Sequence, residues 1–196
     1  MLTLLVAGTA WPEVRARLVL EAYERGERGF HVIAGNRHDV YALASLAKER
    51  GMDPKAVLRA SVLARAFTAH QLASLLEDTL PVMMADRLGY AAVVDPLDLY
   101  ANEEELRPEE GLALLQRGVA KVRLLAKRRP GLPLFIVQHP GVGAKAHWDA
   151  LLAACDACCA LDQAPPVRAQ VPLTAWLPKP EVSTPGPHLA HVPQPA

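Results

Sequence analysis

Short, nearly continuous apolar runs alternate along this chain with longer stretches in which apolar residues recur at helical spacing. Residues 3–7, TLLVA, are followed by Pro12 and then by Val14, Leu18 and Ala22, which share one side of a helix whose first turn suits the proline. FHVIAG (30–35) leads into a helical stretch over 39–51, which Asp39 can start and Gly51 can end. SVLARA (61–66) leads into a helical pattern over 68–89, and YAAVVDPLDLY (90–100) into a long helix over about 108–129. LPLFIVQHP (132–140) is the fifth run, followed by a short helix over 145–154 and a last strand around the cysteines. Strands with one wet face alternate between apolar and polar residues, whereas these runs are apolar almost throughout, as strands covered on both faces are. The pattern therefore predicts an α/β fold, a mostly parallel sheet flanked by helices on both faces, with strands that include 4–7, 32–34, 62–64, 92–95 and 135–137.

Length and composition bound this picture. With 196 residues, 51% of them hydrophobic, the chain can bury one sizeable core but is too short for two large domains. Residues 1–164 are expected to form the domain and 165–196 a proline-rich tail, because nine of the seventeen prolines fall there and proline is excluded from central strands. Trp176, with Leu173 and Leu177, would pin that tail to the domain. Basic and acidic residues number 21 each, so no global positive field draws the chain to nucleic acid or to an anionic membrane. The first apolar run is about seven residues long, short of the roughly 20 that cross a bilayer. A buried first strand, no membrane association and a cytoplasmic location are expected.

The three cysteines, Cys155, Cys158 and Cys159, are clustered and odd in number, which argues against a disulfide framework. Cys155 and Cys158 have C-x-x-C spacing, with His139 and His147 upstream, a pattern that raises zinc or redox chemistry. The run from Ala157 to Leu161 reads instead as a buried strand in which small thiols pack as hydrophobes, so no metal is expected.

Segment 31–80 carries the most specific pattern in the chain. It contains Gly51-Met52-Asp53-Pro54, then Val57-Leu58, then Leu63-Ala64-Arg65-Ala66-Phe67, then His70-Gln71. In order and spacing these resemble the central part of the RecA/RadA recombinase family, especially its archaeal and eukaryotic branch. Downstream, AAVVDPLDLY resembles the family's Walker B strand with Asp95 at its acidic end, LFIVQHP the next core strand, and ACDACCALD the closing strand. The resemblance spans about residues 3–162 and is strongest over 31–80. It implies a RecA-like core that binds ATP between subunits, hydrolyses it and assembles on DNA.

The residues that such chemistry requires are largely missing. A phosphate loop needs glycines whose amides cradle phosphate, a Lys on the β- and γ-phosphates and a Ser or Thr on magnesium. The chain has GTAWPEVR here: Gly8 remains, Glu13 and Val14 stand where the second glycine and the Lys belong, and Arg15 replaces the hydroxyl residue. Trp11 and Pro12 would occupy the space of the phosphates, and Glu13 would repel them. Asn36 stands where the family places its water-activating Glu, and an amide cannot act as a general base. The loops that contact DNA in the family correspond to ANEEELRPEE (101–110), which is acidic, and HPGVGAKAHW (139–148), whose PGVGAK reads as a turn.

Three functional classes follow. The first is a catalytically silent RecA-like paralogue with a degenerate nucleotide site at Gly8, Arg15, Asn36 and Asp95. It would be an accessory or regulatory binding protein in DNA repair or recombination. It would take no cofactor, bind ATP and magnesium weakly at best, and engage a protein partner of the repair or recombinase type. Contact with nucleic acid and assembly into a homo-oligomer are left open. The second class is a weak nucleotide or single-stranded DNA binder that uses Gly8, Arg15 and Asp95. The third is a small α/β enzyme whose chemistry is unrelated to ATP, with Asn36, His38, Asp95, Asp98 and His139 grouped at the carboxyl ends of the strands.

Overall fold

The computed structural model describes residues 1–34, 40–84 and 88–161, so the proline-rich segment with Trp176 lies outside the described residues. Among those described, six strands form one sheet: β1 (Leu2–Val6), β2 (Arg28–Ala34), β3 (Ser61–Ala66), β4 (Leu88–Val94), β5 (Leu134–Gln138) and β6 (Ala157–Ala160). Their order is β3-β2-β4-β5-β1-β6, and every pairing is parallel. This is the α/β architecture that the apolar runs predict. All five expected strands occur, with Ala7 and Asp95 lying one residue past the ends of β1 and β4.

The period of two divides the strand residues between two cores. Leu4, Phe30, Val32, Val93 and Ile136 pack on one face, and Leu5, Ile33, Ala92, Phe135 and Val137 on the other. Helices α1 (Trp11–Glu24), α2 (Tyr41–Glu49) and α3 (Pro54–Arg59) cover the second face. The first face is covered by α4 (Ala69–Ser74), α5 (Leu80–Met83), α6 (Pro96–Tyr100), α7 (Pro108–Arg128) and α8 (Lys145–Ala154). Burial on both sides is why the strands read as continuous apolar runs instead of alternating ones.

Two expectations need correction. The helical pattern over 68–89 is not one α-helix: α4 passes through a π-helical turn at Leu75–Thr79 into α5, which ends at Met83, and Leu88 already belongs to β4. Pro81 has no N–H to give and its ring collides with the carbonyl four residues back, so the helix widens just before it. The cysteine strand is also less buried than its composition suggests. Among the described residues β6 pairs only with β1, at the sheet edge, leaving Cys158 exposed and Cys155 and Cys159 half-buried.

Candidate functional site

At the carboxyl ends of the strands, the connections leave the sheet toward opposite faces. The chain after β1 turns into α1 on one face, while β5, next to β1 in the order, and β4 beyond it lead into α8 and α6 on the other. Such a parting of loops opens a crevice, the usual ligand position in a doubly wound sheet. Gly8 lies on its rim, just after Ala7, whose N–H donates to the Gln138 carbonyl at 3.1 Å.

Asp95 and His139, singled out on separate strands, meet in this crevice. The Asp95 side chain is fully buried, and its Oδ1 accepts both the His139 backbone N–H at 2.9 Å and His139 Nδ1 at 2.6 Å. The ring thus meets the carboxylate through Nδ1, and Nε2 is the nitrogen turned away from Asp95. His139 keeps 14% of its side-chain surface exposed. Asp95 also adopts a left-handed backbone, φ 53 and ψ 45, just before Pro96. Proline disfavours a right-handed helical residue ahead of it, and Asp is among the few side chains that tolerate the left-handed region. Buried Gln138 braces the pair: its Oε1 accepts the Leu97 N–H at 3.0 Å and its Nε2 donates to the His139 carbonyl at 3.2 Å.

Asp98 is half-buried in α6, one turn beyond Asp95, with its N–H on the Asp95 carbonyl at 3.0 Å. Asn36 and His38 lie outside the described residues. Arg15 does not face the crevice. It is 3% exposed, and its Nη2 donates to Ser61 Oγ at 3.2 Å, at the opposite end of the sheet where β3 begins. Ser61 in turn meets His31 Nδ1 at 3.2 Å, and His31 Nε2 meets the Tyr90 hydroxyl at 2.9 Å. Sequence reasoning missed this buried network, although its signal was there: His31 and Tyr90 are the polar side chains inside otherwise apolar strands. Burial also pushes the Tyr90 hydroxyl well above the ordinary phenol pKa, against the opposing pull of Arg15, which keeps it neutral.

The sequence GTAWPEVR spans the turn after β1 and the start of α1, with Thr9 exposed and Gly8 and Ala10 half-buried. The link from β1 to α1 is residues 7–10, and Trp11 is buried in the core beneath α1. The first turn of α4, which points to the same end of the sheet, is already occupied: the Ala69 N–H donates to Glu103 Oε2 at 2.6 Å. Glu103 comes from the acidic loop, so part of that acidity caps a helix.

The segments that carry the resemblance have local structural roles. Gly51, at φ 70, ends the α2 stretch, Asp53 caps α3 by accepting the Lys55 N–H at 3.0 Å, and Pro54 opens that helix. Thr68 Oγ1 accepts the Gln71 N–H at 3.2 Å, while Gln71 Oε1 accepts the Phe67 N–H at 2.9 Å, a reciprocal cap on α4. No three His, Cys, Asp or Glu side chains among the described residues could jointly hold a metal ion. Nor is any described helix long and apolar enough to cross a membrane. No family model and no curated protein matches this chain.

Proposed function

We propose that this chain is a RecA-like protein that has lost ATP chemistry and acts as an accessory or regulatory binding protein, with DNA repair or recombination as the process. The all-parallel sheet supports the reading. So does the fall of the resembling segments at strand ends and helix starts, where such punctuation belongs. The observation that carries the loss of ATP chemistry is the inward turn of Arg15 and Trp11, which leaves the first turn of α1 without a lysine or an open glycine loop to hold phosphates among the described residues.

Calorimetry with ATP and magnesium tests the silent site. The expected affinity is no tighter than about millimolar, roughly 4 kcal/mol, and hydrolysis should not exceed background. Micromolar binding would overturn this. The binding role is tested by co-purification of the tagged chain from its source cells. Repair or recombinase proteins should accompany it, and their absence would remove the accessory role.

A further inference from the structure

The Asp95–His139 pair is built more elaborately than packing requires. Burying a carboxylate is costly unless it is paired or used. Only Oδ1 is engaged, by two donors of the same histidine, while Oδ2 is buried with no partner among the described residues. Asp95 also holds a left-handed backbone, and such conformations concentrate at functional positions. His139 Nε2 makes no hydrogen bond among the described residues, and its ring keeps a solvent-facing edge. A buried carboxylate that holds an imidazole through Nδ1, with Nε2 open, is an arrangement suited to proton transfer.

The loop that follows adds a charge preference. Gly141 and Gly143 take φ 82 and 83, and none of the N–H groups of residues 141–146 meets an acceptor among the described residues. These amides run into the start of α8, which has no side-chain cap. Successive free amides ahead of a helix form a concavity that favours an anion. His147, in the first turn of α8, is 7% exposed, and neither ring nitrogen has a hydrogen-bond partner among the described residues.

We propose that Asp95 and His139 form a hydrolytic dyad for a small anionic ester, with His139 as the general base, Asp95 as its positioning residue and the amides of 141–146 taking the negative group. His139 Nε2 accepts a proton from water as the water oxygen bonds to the ester carbonyl carbon. The C–O bond to the leaving group then breaks with its electron pair, and the imidazolium returns the proton to the departing alkoxide. One ester and one water give one acid and one alcohol, with no oxidant or further reactant. This activity is separate from partner binding and ATP silence, so its failure leaves the proposal of an accessory protein standing.

The test uses the full chain with mono-4-nitrophenyl succinate, an anionic ester, and 4-nitrophenyl acetate, a neutral one. Saturable hydrolysis is expected, with a lower KM for the succinate. His139→Gln should lower kcat about 100-fold or more, the usual scale for a lost general base. Asp95→Asn should lower kcat with little change in KM. Added imidazole should restore turnover to His139→Gly, a rescue that a purely structural histidine would not show. No hydrolysis by the wild-type chain, or equal kcat in folded His139→Gln, would reduce the pair to a structural clasp. Equal KM for the two esters would remove the anion-binding loop from the proposal.

Discussion

Cys155 and Cys158 are both held protonated more firmly than a free thiol. Burial pushes Cys155 up to about 12, and the nearby Cys158 and Asp156 add to the shift while Arg123 opposes it. Cys158 is also raised, by burial first and then by Cys159, yet it stands exposed on the edge strand. Alkylation needs the thiolate, although a more basic thiolate is individually more nucleophilic. The two effects partly offset, so Cys155 should react roughly 30-fold more slowly with iodoacetamide at pH 8 in the folded chain than in the unfolded one. Peptide mapping by mass spectrometry, with Cys158 labelled ahead of Cys155, checks this. At the same scale, Asp95 and His139 were legible in the sequence because polar residues closing apolar runs mark strand ends. The inward direction of Arg15 was not, since it depends on the rotational phase of α1, which a single arginine among apolar neighbours does not reveal.

Among the elements, strands were the most legible, because burial on both faces writes itself as an uninterrupted apolar run. The edge position of β6 was not, since sheet order leaves no local trace in four small residues. Helix α7 shows a case where local propensity and packing oppose each other. Alanine in place of a helical glycine ordinarily gains about 1 kcal/mol. At Gly111, however, a Cβ would lie 2.0 Å from the Tyr100 carbonyl oxygen, which is backbone and cannot rotate aside. Close approach of α7 to the end of α6 depends on that missing atom. Gly111→Ala should therefore destabilise the protein, by about 1–3 kcal/mol net, as read from urea unfolding. A neutral or stabilising result would mean that the two helices are free to part.

For the molecule as a whole, buried acids set the alkaline limit. In the unfolded chain Cys155 and the tyrosines lose protons near 9.0 and 10.0, whereas burial in the fold raises Cys155 to about 12 and raises Tyr90 and Tyr100 as well. The folded state holds protons that the unfolded state has released, so the contribution of these groups is level well below pH 9 and falls as pH rises through and beyond it. The urea midpoint should drop between pH 9 and 11, and Cys155→Ala should soften the early part of that drop. A flat profile to pH 11 would show that these groups ionise alike in both states.

The place of β1 in the sheet also governs how the chain comes into being. Thr3 pairs with Phe135 on one side and Ala157 on the other. As the chain leaves the ribosome at about 5–20 residues per second, β1 waits roughly 7–26 seconds for β5 and longer for β6, with Leu2, Leu4 and Leu5 bare. Helix α1 can form early, but the strand it follows is unpaired until β5 emerges. The nascent chain thus carries a bare apolar segment from the synthesis of β1 until that of β5, and the sheet closes around β1 only after that point.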